Sequence, residues 1–289
     1  MNSNDERVAG PVVSLCHRYK LDLIAVYAES ETNAGARSFL VAQVRDRTGR
    51  QLVLKRTTPE RGLSEIAALR RWSESGLASR LVAVLEEPDL YLTEWLQGPS
   101  IAQLPDQEPL DATAVGRMLR GLHSVAPPPE LPPVRDLFVL PIQEGWSLLS
   151  PAMRSLGQNI TTRLFAYQPP RVVLLHGDLV PLNVLLTPDG PKVIDPFGQQ
   201  GLPAWDLAQL AVAVAGRSNR RILPALLDGY DAVPPLLADA VAWMILFFLQ
   251  KNLAEHRPAF VAHLRPLAEQ LVGSGDAETF LRRFLHGDS

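Results

Sequence analysis

Residues 172–195 read VVLLHGDLVPLNVLLTPDGPKVID and contain the pattern that decides the fold of this chain. An apolar run leads into a His-Gly-Asp triplet at 176–178, and two further apolar runs flank a Pro-Asp-Gly turn at 188–190. Short apolar runs separated by turn residues predict a strand, a loop and then a β-hairpin.

The predicted hairpin brings three oxygen-bearing side chains together. If the runs on either side of the turn pair antiparallel, Asn183 enters the hairpin at the end where Asp195 leaves it. Asp178 lies five residues before Asn183, in the loop above that end, so the three side chains come from 18 residues of chain. Oxygen donors suit Mg²⁺, which proteins usually hold through one or two carboxylates together with substrate phosphates.

The same residues carry a resemblance to a known family. An Asp, an Asn five residues later, a hairpin and a second Asp follow the order of the protein-kinase catalytic loop and its metal-binding Asp. Because the pattern opens with His-Gly-Asp, the chain resembles one group of proteins with this order of residues, the aminoglycoside phosphotransferase family. Ile-Asp-Pro at 194–196, followed by Gly-Leu-Pro-Ala-Trp-Asp at 201–206, is similar to the streptomycin-type antibiotic kinases. The resemblance implies that Asp178 is the base facing the substrate hydroxyl and that Asn183 and Asp195 bind Mg²⁺.

Two further residues are implied as structural supports. In the resembling families a histidine before Gly-Asp and an aspartate in the following helix brace the catalytic loop, which assigns these roles to His176 and Asp206. Asp206 is also explained as a carboxylate near a helix N-terminus, where the helix dipole favours negative charge, and both explanations can hold together. The loop itself departs from the family, because Val-Pro-Leu at 180–182 stands where a small or polar segment is usual.

The fold class expected is α+β, a bilobal protein-kinase-like fold with a small N-terminal antiparallel sheet lobe containing one helix and a larger, mostly helical C-terminal lobe. We expect a nucleotide-binding lobe at 1–97 and a catalytic and substrate-binding lobe at 98–289. Aliphatic runs predict five strands, at 21–27, 38–44, 51–55, 80–85 and 90–95. Helical spacing predicts helices at 59–75, 111–125, 145–165, 205–214, 223–230, 236–253, 260–272 and 278–285.

Lys55 is the candidate for binding nucleotide phosphates. It ends the third predicted strand on the same face as Val53 and Gln51. Without the downstream motif it would be interpreted as a surface lysine, because lysines are mostly exposed. Glu65 follows ten residues later on the predicted helix and could hold Lys55 as in the kinase Lys–Glu ion pair, with Glu60 as the competing carboxylate.

The family resemblance also implies where a nucleotide base binds. The Leu-Gln-Gly-Pro sequence at 96–99 breaks the strand pattern, and in the family the backbone just before such a break bonds the adenine edge. This implies Glu94 and Leu96 as nucleotide contacts in a hinge at 94–98. The connection at 28–37 either folds over the phosphates or is an ordinary hairpin loop, since it contains a single glycine.

Composition limits the possible partners. The net charge of −3 gives no electrostatic reason to expect nucleic acid or an anionic membrane. A single cysteine, Cys16, excludes an internal disulfide and a cysteine-rich zinc site, and it is compatible with a reducing compartment. Residues 1–10 are too polar for a signal peptide, and the longest apolar run, 240–249, falls short of the roughly 20 residues of a membrane span. We therefore expect a cytoplasmic protein and a buried helix at 240–249.

The expected activity is transfer of the γ-phosphate of ATP or GTP, with Mg²⁺, to a hydroxyl of a small molecule. The resemblance favours an antibiotic acceptor, an aminoglycoside or a basic peptide antibiotic, whose phosphorylation would give resistance by inactivation. A metabolic kinase acting on a sugar, a choline-like or a methylthioribose-like hydroxyl is the alternative, and a nucleotide-binding pseudokinase is the alternative from another class. Scattered acids are the candidates for binding an ammonium group: Asp228, Asp231, Asp239 and Glu255.

Overall fold

The computed structural model describes residues 5–29, 38–85, 89–106, 108–134, 146–218 and 220–286. Contacts divide the chain into two compact units, Met1–Gln97 and Gly98–Ser289. The first unit carries the antiparallel sheet, and the second is mostly helical. This agrees with the predicted α+β class.

The first unit is built on a five-stranded antiparallel sheet in the order β1-β2-β3-β5-β4. Its strands are β1 (Asp22–Glu29), β2 (Ser38–Arg45), β3 (Gln51–Thr57), β4 (Leu81–Val84) and β5 (Leu90–Glu94). The alternation in β3 is the predicted one, because Leu52 and Leu54 are buried in the core while Gln51 and Val53 are half-buried on the other face. The prediction of five strands is confirmed.

The described residues of this unit form two helices. The first, α1 (Asp5–Tyr19), was not predicted, and its Val12, Leu15 and Cys16 join the apolar core of the sheet. The second, α2 (Pro59–Trp72), begins where the Thr58 side chain accepts a hydrogen bond from the backbone N–H of Arg61, a typical N-cap. It buries Trp72, and its Ile66 and Leu69 pack with Tyr91 of β5 in a second apolar cluster.

The second unit combines helices with two short antiparallel pairs of strands. The strand β6 (Val173–Leu175) pairs with β9 (Gln199–Gly201), and β7 (Val184–Thr187) pairs with β8 (Gly190–Val193). The helices are α3 (Ala112–His123), α4 (Pro151–Ala166), α5 (Ala204–Ser218), α6 (Leu223–Tyr230), α7 (Leu237–Ala254), α8 (Pro258–Ser274) and α9 (Ala277–His286). The predicted helix at 145–165 begins only at Pro151, because the side chain of Ser150 caps it by accepting the N–H of Met153.

The centre of the second unit is aromatic. Trp146 is fully buried and meets Trp243 edge to face, with ring centroids 5.8 Å apart. Trp205 lies 5.0 Å from the same ring. The helix that carries Trp243, α7, is apolar and long enough to cross a membrane by length and composition, yet 67% of it is buried inside the structure. A buried core helix passes the same test, and this burial agrees with the expected buried helix at 240–249.

Two glycines bring α3 and α6 into close contact. A Cβ on Gly116 would collide with the carbonyl oxygen of Leu226, and a Cβ on Gly229 would collide with that of Thr113. The two backbones can therefore approach only because both positions lack a side chain. This crossing sets His123, the last residue of α3, beside Tyr230, the last residue of α6.

Candidate active site

The β7–β8 hairpin places Asn183 and Asp195 at the same end. Val184 and Val193 are paired, and the backbone N–H of Ile194 donates to the carbonyl of Asn183 at 3.0 Å, which extends the ladder by one step. Asp195 follows with φ of 58°, in the left-handed region. Aspartate is one of the few residues other than glycine that adopt this conformation, which turns the chain sharply away from the strand.

The loop before the hairpin joins Asp178 to Asn183 through hydrogen bonds. The N–H of Val180 donates to the carbonyl of Asp178 at 2.9 Å, and the N–H of Asn183 donates to the carbonyl of Val180 at 2.9 Å. The side-chain amide of Asn183 also donates to the Asp178 carbonyl, at 2.8 Å. Because Nδ2 is occupied in this way, Oδ1 is the atom that Asn183 presents as a ligand.

His176 ties this loop to the end of β8. Its Nε2 lies 2.8 Å from the carbonyl oxygen of Ile194, which can only accept, so Nε2 carries the proton. Nδ1 is then an acceptor, and the backbone N–H of Asp178 donates to it at 3.3 Å. Burial lowers the pKa of His176, against the opposing effect of Asp206 and the other acceptors around it. The ring is therefore a neutral brace between the two chain segments.

Asp206, in the first turn of α5, supports the start of the loop through hydrogen bonds to its backbone. Its fully buried carboxylate accepts the backbone N–H groups of His176 at 2.7 Å and Gly177 at 3.0 Å, and Nε2 of His123 lies at 3.1 Å. Burial alone would raise the pKa of Asp206, but the hydrogen bond and charge of His123, together with His176 and the Gly177 N–H, reverse this, so that its pKa is lowered. An ionised carboxylate is thus the form that fits the site.

Two residues of this network, Gln209 and Tyr230, were not assigned a role from the sequence. The N–H of Leu179 donates to Oε1 of Gln209 at 2.7 Å, and Nδ1 of His123 lies 3.0 Å from the hydroxyl of Tyr230. Burial, with repulsion from Asp206, raises the pKa of Tyr230 to about 12, so the phenol stays protonated. Asp206 and Gln209 are three residues apart and therefore lie on one face of the helix. This spacing was the sequence signal that could have assigned Gln209 to the same loop.

In the first unit, Lys55 lies in a buried ion pair. Its Nζ is 2.8 Å from Oε2 of Glu65, and the two residues are 2% and 0% exposed. Glu65 also accepts hydrogen bonds from the hydroxyl of Tyr91 and from Nε of Arg61. Lys55 is therefore not a surface lysine, and the competing carboxylate, Glu60, is exposed at the start of α2.

The remaining nucleotide candidates lie at the end of β5. The N–H of Glu94 donates to the carbonyl of Arg80 at 2.9 Å, and its own carbonyl accepts the hydroxyl of Ser79 at 2.9 Å. Leu96 follows in the irregular segment after the strand. The predicted phosphate-covering loop at 28–37 falls mostly on residues 30–37, which lie outside the described residues.

The donor set fits the metal expected from the sequence. The hairpin end offers one carboxylate, Asp195, and one amide oxygen, from Asn183, and Mg²⁺ is usually bound by one or two carboxylates with water and substrate phosphates completing its shell. Within the described ranges no three His, Cys, Asp or Glu side chains gather into a metal-binding group. The assignment of Asn183 and Asp195 to Mg²⁺ agrees with this donor chemistry and stays a prediction.

Comparison with known families decides the class of protein. Residues 30–242, most of the chain, match the family described as "Phosphotransferase enzyme family", APH. The chain belongs to this APH phosphotransferase family. A probable ketoamine kinase of Escherichia coli (strain K12) is 36% identical over 103 residues, which are 33% of this chain. The match spans only about a third of that relative, 34% of its length.

Solved structures agree on the fold. A choline/ethanolamine kinase family protein from Mesorhizobium loti superposes with a TM-score of 0.67 over 99% of this chain and 100% of its own, at 18% identity. A macrolide 2'-phosphotransferase from Brachybacterium faecium gives 0.62 over 89% and 98%, at 21% identity. A putative fructosamine-3-kinase from Thermobifida fusca gives 0.61 over 95% and 99%, at 18% identity. The predicted kinase-like fold is confirmed, and at such identities the likeness concerns the fold alone.

Proposed function

We propose that this APH-family protein is a Mg²⁺- and ATP- or GTP-dependent O-phosphotransferase with Asp178 as the catalytic base. The observation that carries the proposal is the hydrogen-bonded turn from Asp178 to Asn183, followed by a hairpin that returns Asp195 to the same end. This arrangement supports the proposal, because in-line phosphoryl transfer depends on positioning and on cancelling phosphate charge.

Each unit has its own part in the proposed reaction. We assign nucleotide binding to Met1–Gln97, where Lys55, held by Glu65, meets the phosphates and the backbone of Glu94 and Leu96 receives the base. The Glu94 carbonyl already accepts Ser79 and has one lone pair left for this purpose.

We assign catalysis and acceptor binding to Gly98–Ser289. Asp178 takes the proton of the acceptor hydroxyl. At the same time the hydroxyl oxygen forms a bond to the γ-phosphorus, and the bond from this phosphorus to the nucleoside diphosphate breaks. Asn183 and Asp195 would hold Mg²⁺, which would neutralise charge on the phosphate oxygens. His176 and Asp206 keep the loop in place, as structural supports.

The curated relatives favour a sugar-derived acceptor. One part of the chain is 36% identical to a probable ketoamine kinase. The likeness to the antibiotic phosphotransferases concerns the fold alone. We therefore propose a ketoamine, a sugar joined to an amine, as the first candidate acceptor. From the sequence alone, the alternative was a metabolic kinase with a sugar, choline-like or methylthioribose-like acceptor, and a ketoamine was not among the acceptors predicted.

An antibiotic acceptor remains the second candidate, because solved structures of macrolide and aminoglycoside phosphotransferases share the fold. A polycationic aminoglycoside would need acidic side chains that are available to bind its ammonium groups. Asp239 pairs with Arg163, Asp231 with Arg120 at 2.7 Å, and Glu255 with Arg257 at 3.0 Å. These acids already have cationic partners. The streptomycin-type branch stays a prediction.

The test is acceptor-dependent product formation. Purified protein is incubated with Mg²⁺ and either ATP or GTP, together with ketoamines, choline, aminoglycosides or macrolides, and phosphorylated products are identified by mass spectrometry. We expect a ketoamine phosphate. Nucleotide binding with no phosphorylated product from any acceptor would identify a pseudokinase and overturn the proposal, and an antibiotic phosphate would replace the first candidate by the second.

A further inference from the structure

A cleft of about 300 Å³ opens in the second unit beside the catalytic loop. Its walls come from the short helical turn Ile101–Gln103, the C-terminal end of α5 and the N-terminal end of α8. Pro181 contributes to the lining, and it lies three residues after Asp178 in the same loop. Three residues of chain span at most about 11 Å, so the cleft lies within the reach of a small acceptor whose hydroxyl faces Asp178.

The ionised groups that line this cleft are mostly cationic. Arg217 and Arg220 line it together with one carboxylate, that of Asp106. The guanidinium of Arg220 donates to the backbone carbonyls of Pro105 and, at 3.2 Å, Asp106. These neutral acceptors fix the guanidinium in position without cancelling its charge.

Arg217 is held in a different way. Its guanidinium carbon lies 5.5 Å from the ring centroid of Phe260, which also lines the cleft. Within the part of the chain that the structure describes, no carboxylate forms an ion pair with Arg217 or Arg220. Partial burial, and then repulsion from Arg257, lower the pKa of Arg217.

The N-terminal end of α8 adds to the positive electrostatic potential in the cleft. Ala259 and Phe260, its second and third residues, line the cleft, and no side chain caps this helix end. Uncapped N–H groups in a first helical turn carry partial positive charge and favour an anion nearby. Two guanidiniums and a helix N-terminus thus surround a volume at the small end of the usual range for ligand pockets.

We infer that this cleft binds a carboxylate group of the acceptor, with Arg217 and Arg220 as specificity-determining residues. The inference rests on the proposed function and narrows its substrate class to hydroxylated acceptors that carry a carboxylate, such as a ketoamine formed from an amino acid. The planar guanidinium fork matches a carboxylate with two parallel hydrogen bonds. A polycationic antibiotic is rejected by the same charges, because like charges across an interface oppose binding.

The decisive experiment compares two acceptors that differ only in that charge, an N-fructosyl amino acid and its amide. Hydrogen bonds to a charged group contribute about 1.5–3 kcal/mol, so the amide should have a kcat/KM lower by about tenfold to more than a hundredfold. Arg217→Gln should lower kcat/KM for the carboxylate acceptor by a similar factor and leave the amide unaffected. Arg265→Gln, at an exposed arginine of α8 outside the cleft, is the matched control and should change neither.

Calorimetric binding of the same acceptors to the protein loaded with a non-hydrolysable nucleotide gives a readout that needs no turnover. The carboxylate should bind more tightly than the amide in the wild type and equally in Arg217→Gln. Equal binding of the two by the wild type, undiminished carboxylate binding by Arg217→Gln, or no carboxylate binding at all would overturn the inference. Selective binding without phosphorylation would instead overturn the proposed function and keep the anion site, so the two failures are distinguishable.

Discussion

The side-chain amide of Asn183 donates a hydrogen bond to the backbone carbonyl of Asp178 at 2.8 Å. This bond makes the candidate base and the candidate metal ligand parts of one turn, because Asn183 holds the loop through Nδ2 while its Oδ1 is the candidate ligand atom. Substitution at position 183 therefore affects both the ligand and the loop, whereas substitution of the Asp178 side chain leaves the backbone bonds intact.

Asp178→Asn should remove catalysis and preserve the fold. The amide has the size of the carboxylate, and the two hydrogen bonds to the Asp178 backbone carbonyl, from the Val180 N–H and the Asn183 side-chain amide, do not involve the substituted group. General-base catalysis contributes about 10²–10⁴-fold, so kcat should fall by that factor while nucleotide affinity is kept. Product formation by mass spectrometry and nucleotide binding by calorimetry measure the two effects. Turnover equal to that of the wild type would show that Asp178 is not the base.

Asn183→Ala should weaken Mg²⁺ binding. The variant loses the candidate ligand Oδ1 and the bond that orients the loop, and even the loss of a group that only supports a metal ligand typically reduces metal affinity by about 10–100-fold. The Mg²⁺ concentration for half-maximal activity should rise accordingly. Asn159→Ala, at an exposed asparagine of α4, serves as the control. An unchanged Mg²⁺ dependence in Asn183→Ala would exclude Asn183 as a ligand.

The parts of the site that the sequence predicts are those that depend on local pairing. The Pro-Asp-Gly turn fixes the register of β7 against β8, and this register alone carries Asn183 and Asp195 to one end. In the same way α2 starts at a recognisable cap, so that Glu65 falls on the face turned toward Lys55. Turns and helix caps of this kind depend on residues close together in the sequence, so their positions can be predicted from the spacing of the residues.

The parts that the sequence does not predict depend on distant partners. Asp206 meets His123 across 83 positions and His123 meets Tyr230 across 107, so no local pattern signals the connection. The helix α1 was missed for a related reason. Pro11 lies inside it, which argues against a helix from propensity, and its stripe of Val12, Leu15 and Cys16 gains its stability only from packing on the sheet.

Glu65→Gln should destabilise the first unit and impair nucleotide binding. Glu65 is fully buried between the cations of Lys55 and Arg61, and removal of one partner from a buried ion pair costs about 3–5 kcal/mol. Glu60→Gln, on the exposed side of the same helix, should change the free energy of unfolding by less than about 0.5 kcal/mol. Urea unfolding and calorimetry with ATP provide the two measurements. Equal effects of the two variants would contradict the role of Glu65.

Stability should fall in two steps as the pH is lowered, through His176 and then Asp206. The folded-state pKa of His176 lies below its ordinary value of 6.5, so below that pH the unfolded chain binds a proton that the folded chain refuses, and the free energy of unfolding decreases. The folded-state pKa of Asp206 lies below 3.8, so its stabilisation is complete above that pH and is lost as the pH falls through the lowered value.

The first of these steps can be assigned to one side chain. In His176→Gln a glutamine amide can still donate to the Ile194 carbonyl, but it has no proton to gain, so the decrease that begins near pH 6.5 should disappear while the acid step of Asp206 remains. His17→Gln, at an exposed histidine of α1, should keep both steps. Urea unfolding at intervals from pH 8 to pH 3 records them. A decrease near pH 6.5 that survives in His176→Gln would show that another group causes it, and that His176 is not the buried neutral brace of the catalytic loop.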